Sequence, residues 1–499
     1  MGKQSNRPIW SKADVEGPSE SLAAYCAGRD VVGRPPADAD LIEYDLWTNR
    51  AHCLMLQRCG IISERDLGAI LGGLDVFERH WRTGGYELDP RLEDVHMNIE
   101  RAVAGVGGEH AAGQMHTGRS RNDQSATDVR LWLRDRLLDR LRATLLTIDA
   151  LWRLARRHLE TICPGWTHGQ PAMPTTLGHW AAAHGWALLR DCQALKALWP
   201  VLNTCPLGSA ASFGTSWPIN RRMTARLLGF DAPQPNSLDA ISNRGEVEAR
   251  LGFTLSILMT HLSSLGQDLI FMTTPPRRGL RLSDAHVSGS SIMPQKRNPD
   301  FAEVTRARAQ AVLSMAGNLA AIGRGALSGY NRDVQWTKYW IMELVAEFGQ
   351  APEVFAEVVG GLQVDGSELA RAAAEGFSSA TDLADHLART RRIPFRRAYH
   401  VVGAAAVRDQ GKGWITLESI NERMRQEGLG PLFTREELAE CSRPDRAVRQ
   451  RASQGGPAPE QVRCQLDALR ENVKQIRRWA NGRDKVVRGA RCRAWRPPA

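Results

Sequence analysis

The pattern of hydrophobic and polar residues predicts long α-helices. Between Ala126 and Glu160 apolar residues recur every three or four positions, and neither glycine nor proline interrupts them. At a rise of about 1.5 Å per residue, such a segment makes a helix roughly 50 Å long. Similar periodicity recurs in "LGHWAAAHGWALLRDCQALKALW", "NRGEVEARLGFTLSILMTHLSSLGQDLIFM", "FAEVTRARAQAVLSMAGNLAAIG" and near "VQWTKYWIMELVAEFGQAPEVFAEVVGGLQ". Strand-like alternation is rare and Pro/Gly loops join the long segments, so the pattern predicts a mainly all-α fold with a helical bundle core.

Breaks in this periodicity divide the chain into three predicted domains. A glycine-rich stretch at 108–113 ends a region of shorter helices, and the long helices stop near Val364. The predicted domains are an N-terminal helical domain (1–110), a central long-helix bundle (111–365) and a small C-terminal helical domain with a basic tail (366–499).

The net charge of +10 changes this picture only at the C-terminus. From Glu471 onward nine Lys and Arg residues face two acids, so the tail contributes +7 and the rest of the chain is near neutral. A basic terminal segment is typically a solvated or disordered arm, which is the interpretation favoured here. Binding of RNA or an anionic surface by the tail is the alternative, although no basic patch interleaved with aromatic residues supports it.

Composition favours a cytoplasmic protein. The apolar fraction of 42% is ordinary for a globular chain, no apolar run reaches the roughly 18 residues that span a bilayer, and the N-terminus resembles no secretory signal. The nine cysteines are scattered without a C-x-x-C pair, which argues against a zinc ribbon or a redox dithiol and favours reduced thiols.

Four polar loops between the helices carry the candidate chemistry. The first, "HTGRSRNDQSATD", places Ser120, Arg121 and Asn122 before the longest helix, where a carboxylate could meet a helix N-terminus. The second, "GWTHGQPAMPTTLGHW", contains Thr167 and His168, and an imidazole can donate or accept a proton near neutral pH. From the residues alone, ordinary helix capping and a structural, hydrogen-bonded histidine remain open alternatives.

The third and fourth loops differ in character. "PLGSAASFGTSWPIN" is rich in small residues and is predicted to be structural. "SGSSIMPQKRNPD" is too broken by Gly and Pro for a helix or a central strand, yet it carries Ser290, Lys296 and Asn298. Consecutive backbone N–H groups in such a loop can form an anion-binding nest.

These loops suit proton removal beside a carboxylate, followed by loss of a leaving group. The sequence shows no metal-ligand spacing, phosphate loop or dinucleotide fingerprint. Lysine, asparagine and backbone N–H groups can stabilise the doubly negative intermediate that such a proton removal creates. A serine acts as the base only if similar donors stabilise its oxyanion, and a loop that closes on substrate supplies that environment.

Several motifs resemble a known family. "GSSIMPQKRNP" resembles the signature of the aspartase/fumarase superfamily, and "HTGRSRNDQSATDVRLWLRD", "LEDVHMNIE", "NSLDAISNR", "YNRDVQ", "ATDLADHLA" and "GGPAPEQV" narrow the resemblance to the argininosuccinate lyase family. The motifs occur in the family's order from about Leu41 to Leu466. The resemblance implies a three-domain subunit whose long helices form a twenty-helix core in a homotetramer. Each active site would then take loops from three chains.

The resemblance also implies roles for individual residues. Ser290 would remove the Cβ proton of the substrate, and Thr167 and His168 would lie near the leaving nitrogen. The family reaction splits argininosuccinate into arginine and fumarate without a cofactor, a step in arginine biosynthesis. The expected substrate-binding residues are Lys296 and Asn298 for the carboxylate that gains charge, Ser120, Arg121 and Asn122 for the succinyl group, and Tyr330, Gln335 and Lys338 for the rest of the substrate.

Other motifs depart from the family's pattern. No N-terminal "WGGRF" is present, and "THGQPAMP" resembles the corresponding loop of adenylosuccinate lyase instead. In "DLWTNRAH", "SNRG" and "YNRDVQWTK" several expected residues, four of them acids, are replaced; the substituted positions are Thr48, Asn49, Asn243, Gly245, Trp336 and Thr337. Loss of acids weakens attraction for a guanidinium-bearing leaving group.

The sequence therefore predicts a carbon–nitrogen lyase that releases fumarate from argininosuccinate or a related N-succinyl compound. A lyase of specialised metabolism with a different nitrogen leaving group is one alternative. A catalytically silent, crystallin-like structural protein is another, against which the presence of Ser290, His168, Lys296 and Asn298 argues. A small-molecule substrate is expected, without metal, cofactor or membrane, and nucleic acid is relevant at most to the basic tail.

Overall fold

The computed structural model describes residues 19, 25, 37–92, 94–275 and 279–495. Four α-helices lie between residues 42 and 114. The first is buried on nearly every side, and its Trp47 indole N–H donates to the Leu227 carbonyl at 3.0 Å. The four helices are α1 Ile42–Arg58, α2 Glu64–Arg82, α3 Val95–Gly107 and α4 Glu109–Gln114.

Long helices form the central bundle, as the periodicity predicts. The longest begins at a capping box, in which the Ser120 hydroxyl accepts from the Asn122 N–H and the Asp123 carboxylate accepts from the Ser120 N–H. The segment near "VQWTKYW" forms two helices rather than one, because the chain breaks at Gly349 with a φ of 58°. The bundle helices are α5 Arg121–Arg157, α6 Leu177–Leu202, α9 Glu246–Thr273, α10 Asp300–Ala321, α11 Trp336–Phe348 and α12 Ala351–Gly360, with the short α7 Arg221–Leu227 and α8 Ser237–Ser242 between α6 and α9.

Strands are scarce in the described chain, as expected, and form three two-stranded sheets. Only the first pair is longer than two residues, and its antiparallel strands are closed by a two-residue turn between Thr167 and Gln170. The pairs are β1 Ile162–Thr167 with β2 Gln170–Thr176, β3 Thr204–Cys205 parallel to β4 Ala232–Pro233, and β5 Leu280–Arg281 antiparallel to β6 Gln363–Val364.

Shorter helices after the bundle enclose a separate hydrophobic cluster. Leu387, Val401 and Ile420 are buried in it, whereas the bundle and the N-terminal helices share one larger core. The cluster lies within the region predicted as the C-terminal domain, and the exact domain boundaries stay a prediction. Of these helices, α13 Gly366–Ala374 packs its Leu369 into the larger core. The helices around the separate cluster are α14 Ala380–Arg391, α15 Phe395–Arg408, α16 Leu417–Gln426 and α17 Arg435–Cys441, and α18 Pro444–Gln450 follows them.

The prediction of a solvated or disordered basic tail is wrong for its described part. Residues Pro459–Trp495 form one helix, α19, whose apolar positions recur every three or four residues and pack against α6, α5 and α1. At its end the Arg491 guanidinium pairs with Glu43 at 2.9 Å, and the Trp495 indole N–H donates to Glu78 at 2.8 Å. Most of the other basic residues of the tail occupy the exposed face of an amphipathic helix. None of the helices in the described chain is long and apolar enough to cross a membrane.

Candidate active site

The first polar loop is fixed at the N-terminus of α5 by a buried carboxylate. Asp123 Oδ1 accepts from the Ser120 N–H at 2.9 Å, and its Oδ2 accepts from the N–H groups of Gly208 and Ala210, each at 2.8 Å. Burial raises the pKa of the Asp123 carboxyl to about 6, although these N–H donors act in the opposite direction. The Arg121 guanidinium lies 3.1 Å from Asp94. The loop thus presents its side chains from a rigid base.

Two residues that depart from the family's pattern belong to a buried network beneath this loop. The Asn49 amide donates to Asp45 at 2.8 Å, and its carbonyl accepts from Arg119 at 2.5 Å. The Thr48 hydroxyl donates to Asp128 at 2.5 Å. All five side chains are buried, so these substitutions fill hydrogen-bonding roles inside the protein rather than contacting a substrate.

This network contains a set of metal-ligand side chains that the sequence did not reveal. Asp45, His96 and Asp128 offer ligand atoms within 4.8 Å of one another, because α1, α3 and α5 meet there. The Asp45 carboxylate already accepts from His96 at 2.8 Å and from the Gln124 amide at 2.6 Å. Burial and the neighbouring Asp45 charge raise the pKa of Asp128.

The second polar loop forms the tip of the β1–β2 hairpin. His168 and Gly169 have φ angles of 54° and 71°, the left-handed pair that a tight two-residue hairpin turn requires. His168 is exposed at this tip, while Trp166 packs edge-on against Phe271 at 4.9 Å between ring centres. The hairpin therefore leaves the imidazole exposed at the surface of the chain.

The loop that carries Ser290 is closed at its base and extends into solvent. Ser288 and Asn298 exchange backbone hydrogen bonds of 3.0 and 2.8 Å, and the Asn298 side-chain amide donates to the Gly289 carbonyl at 2.9 Å. The Ser290 hydroxyl accepts from the N–H groups of Ile292 at 3.3 Å and of Met293 at 3.1 Å. Two backbone donors therefore point at this oxygen, which is the arrangement that stabilises a serine oxyanion.

The predicted residues for the far end of the substrate each have a side-chain partner. The Tyr330 hydroxyl donates to Gln335 Oε1 at 3.3 Å, and the buried Lys338 forms an ion pair with Asp38. The Arg244 guanidinium lies 5.9 Å from the centre of the Tyr330 ring. Since each side chain has a partner, their orientations are constrained before any ligand arrives.

Gly245 and Thr337, two further positions that differ from the family's pattern, pack against each other near these residues. Gly245 has a φ of 98°, and a Cβ atom there would lie 3.0 Å from the Thr337 methyl carbon. Thr337 is buried and donates its hydroxyl hydrogen to the Val334 carbonyl at 2.8 Å. Trp336, by contrast, is 56% exposed and packs edge-on against Tyr339. Of these positions, Trp336 is the one available to a ligand.

The structure joins some of the predicted site residues and separates others. Asp123 connects the first loop to the third loop, and the Ser212 hydroxyl of that third loop accepts from the Tyr330 N–H at 3.1 Å. Thr167 and His168 lie on the hairpin, and Ser290 lies on a second exposed loop with its own internal contacts. The sequence offered helix capping in the first loop as an alternative, which the capping box of Ser120 and Asp123 confirms. The link from Asp123 to the third loop and the role of Ser212 were missed; the Ser-x-x-Asp spacing was the available signal for Asp123.

Comparisons with known proteins agree with this architecture. A family model described as lyase matches residues 36–314, and one described as argininosuccinate lyase C-terminal matches residues 377–449. An argininosuccinate lyase of Thermus thermophilus is 39% identical over 471 residues, which cover 93% of this chain and 98% of that protein. A crystal structure of EDDS lyase in complex with formate is 28% identical with a TM-score of 0.87, covering 97% of this chain and 95% of that one.

A fumarate lyase from Mesorhizobium sp. BNC1 shares the fold at 19% identity, with a TM-score of 0.71 over 92% of this chain and 99% of that chain. The matched family models and the relative at 39% identity together cover nearly the whole sequence, including its predicted site loops. This protein belongs to the argininosuccinate lyase family of the aspartase/fumarase superfamily and is a carbon–nitrogen lyase.

Proposed function

We propose that this enzyme catalyses β-elimination of an N-substituted aspartate and releases fumarate and an amine. The observation that carries the proposal is the Ser290 loop, in which two backbone N–H groups point at the serine hydroxyl oxygen. These donors stabilise the deprotonated serine, which then removes the proton from the substrate Cβ. The membership of the chain in a lyase family supports this assignment.

Lys296 and Asn298 stabilise the second negative charge that forms on the substrate carboxylate in this proposal. Both residues lie on the same loop as Ser290, so its closure brings the base and the charge-stabilising groups to the substrate together. The Asn298 amide exchanges its bond to the Gly289 carbonyl for one to the carboxylate. Closure also removes water, which strengthens each electrostatic interaction.

The leaving nitrogen accepts a proton as the C–N bond breaks. His168 supplies that proton in our proposal, with Thr167 beside it at the end of β1. Ser120, Arg121 and Asn122 hold the succinyl group at the N-terminus of α5, where the helix dipole also favours an anion. Tyr330, Gln335 and Lys338 contact the remainder of the substrate.

A homotetramer with shared sites is part of the same proposal. The hairpin tip and the Ser290 loop project from the subunit, so a second and a third chain are needed to complete one site. The bundle helices also expose apolar side chains to solvent: Phe253 is 39% exposed, Ile257 56% and Leu313 45%. Such side chains on adjacent helices favour self-association. Mass measurement in solution tests this, and an active monomer would contradict it.

A cytoplasmic location also stays a proposal. It rests on the scattered cysteines, which are free wherever the structure describes them.

The identity of the leaving amine has two candidates. The name of the relative at 39% identity favours argininosuccinate, and with it a place in arginine biosynthesis. The exposed Trp336, in a position where the family's pattern has an acid, favours a less cationic amine of specialised metabolism. The test is to incubate purified enzyme with argininosuccinate and with a panel of other N-succinyl amines while following fumarate absorbance. No release of fumarate from any of them would overturn the proposed function.

A crystallin-like protein without activity is the remaining alternative. It predicts that wild-type enzyme and Ser290→Ala behave alike in this assay. A lyase predicts loss of fumarate release in the variant with an unchanged melting temperature, because Ser290 lies in an exposed loop rather than in the core.

A further inference from the structure

The third polar loop contains a serine in a backbone conformation that serine rarely adopts. Ser212 is fully buried and has a φ of 98°, in the left-handed region that favours glycine. Non-glycine residues remain in this region only where their surroundings enforce it, and such positions cluster at functional sites. The loop is held by the Ser209 carbonyl, which accepts from the N–H groups of Ser212 at 3.2 Å and of Gly214 at 3.0 Å.

The Ser212 hydroxyl holds the peptide that carries Tyr330. Its oxygen accepts from the Tyr330 N–H at 3.1 Å, and the preceding Gly329 N–H donates to the Ser242 hydroxyl at 2.8 Å. Gly329 has a φ of 99°, and a Cβ atom there would lie 3.4 Å from the Ser212 oxygen. Two serine hydroxyls therefore fix two successive N–H groups immediately before the Tyr330 side chain.

The same loop is fixed at its other end to the succinyl-binding loop. The Asp123 carboxylate accepts from Gly208 and Ala210, and through its other oxygen from Ser120. A short, rigid segment of five residues, 208–212, thus lies between the residues proposed for the succinyl group and those proposed for the rest of the substrate. The distance between the two halves of the substrate site depends on this segment.

We propose that Ser212 is a positioning residue, which sets the place of Tyr330 relative to the succinyl-binding loop through its hydrogen bond to the Tyr330 N–H. The inference rests on the proposed function, because it takes Tyr330 as a substrate contact. It deepens that function by assigning the third loop to substrate selection rather than to packing alone. Tyr330 binds the part of the substrate that does not react, so its displacement weakens ground-state and transition-state binding alike.

The test is Ser212→Gly. This substitution removes the hydroxyl group and, because glycine adopts a left-handed φ easily, it also relieves the backbone strain at position 212. We expect the melting temperature to stay equal or rise, while KM for the best N-succinyl substrate rises roughly five- to tenfold with kcat nearly unchanged, the effect of about one lost hydrogen bond. A residue needed only for packing gives the reverse, a lower melting temperature with unchanged KM, and that result overturns the proposal.

The matched control is Arg392→Gly. Arg392 also has a left-handed φ, 52°, but it is exposed and follows α14 outside the bundle. Relief of strain there should raise the melting temperature without changing KM or kcat. If this control changes KM as much as Ser212→Gly does, the KM effect reflects general stability and the proposal fails.

Amide hydrogen exchange separates this inference from the proposed function. The Tyr330 amide should exchange faster in Ser212→Gly than in wild type and in Arg392→Gly, whatever substrate the enzyme uses. Unchanged exchange overturns the positioning role even if the enzyme is an active lyase. Faster exchange in an enzyme that releases no fumarate from any N-succinyl amine overturns the proposed function and, with it, the role in substrate binding.

Discussion

Replacing Asp123 by asparagine tests the balance of forces at the base of the first polar loop, which we propose binds the succinyl group. Burial disfavours the ionised carboxylate, whereas three backbone N–H donors favour it. Because burial is the larger effect, the pKa of Asp123 in the folded protein is about 6, compared with an ordinary value of 3.8. An asparagine side chain would fill the same space without an ionisable group, so the substitution isolates the titration of this one carboxyl.

The sign and size of the effect follow from the two pKa values. A carboxyl whose pKa is raised on folding favours the folded state most when it is protonated, below pH 3.8. That contribution is lost as the pH rises through about 6. A difference of about two pKa units corresponds to about 3 kcal/mol, an upper bound for a group that forms several hydrogen bonds.

The measurement is the melting temperature of wild type and Asp123→Asn between pH 3.5 and about 7.5, reported as the difference between the two proteins. We expect wild type to lose stability relative to the variant as the pH rises. The control is Asp89→Asn, because hydrogen bonds from Arg91 lower the pKa of the half-buried Asp89 from 3.8 to about 2. The sign is then reversed, since wild type gains stability relative to this variant as the pH rises, and the effect reaches the measured range at its acidic end. If the difference in melting temperature between wild type and Asp123→Asn does not change with pH, burial is not the larger effect. The same holds if wild type gains stability relative to the variant as the pH rises.

The remaining predictions concern the reacting groups and the C-terminal helix. Ser290→Ala should lower kcat for fumarate release by about 10²–10⁴-fold or more with an unchanged melting temperature; near-normal kcat would eliminate Ser290 as the base. Gly169→Ala should lower kcat clearly and the melting temperature less, because a φ of 71° is strained for alanine and the turn at Gly169 orients His168. An unchanged kcat would show that the turn tolerates a Cβ atom. Truncation after Ala480 should lower the melting temperature by several degrees, since it removes the buried Val487, Ala490 and Ala494 and the contacts at the end of α19; an unchanged value would show that this end is dispensable.

The long helices were predictable because their signal is local. The periodic segment from Ala126 to Glu160 corresponds to α5, Arg121–Arg157, and the difference at its start comes from Ser120, which caps the helix before the apolar pattern becomes regular. The β1–β2 hairpin was not predicted, because its prolines mask a strand pattern. Local spacing therefore indicated the element types where the apolar face is long and failed where two short strands pair.

The links between loops were not predictable from local spacing. Asp123 contacts residues 85 and 87 positions away in sequence, and Ser212 contacts a residue 118 positions away. The interpretation of the tail as a solvated or disordered arm rested on the count of Lys and Arg residues. It did not consider the apolar residues between them. The apolar spacing of α19 was readable in the sequence, whereas only the three-dimensional arrangement shows that the third loop lies between two halves of the proposed site.

The substituted motif positions now divide into two kinds, and this division bears on the leaving amine. Asn243 is half-buried and accepts from the Arg130 guanidinium at 3.2 Å, so it belongs with the positions that have partners inside the protein. Thr48 and Asn49 complete a buried hydrogen-bond network, and Gly245 provides the room that Thr337 occupies. Substitutions that compensate one another inside the protein say little about substrate charge, because solvent and substrate do not reach them. Trp336, by contrast, stands exposed beside Gln335 in the chain. If the leaving group differs from arginine, the difference is therefore decided at this aromatic side chain, where apolar surface replaces an expected carboxylate, rather than by a general loss of negative charge.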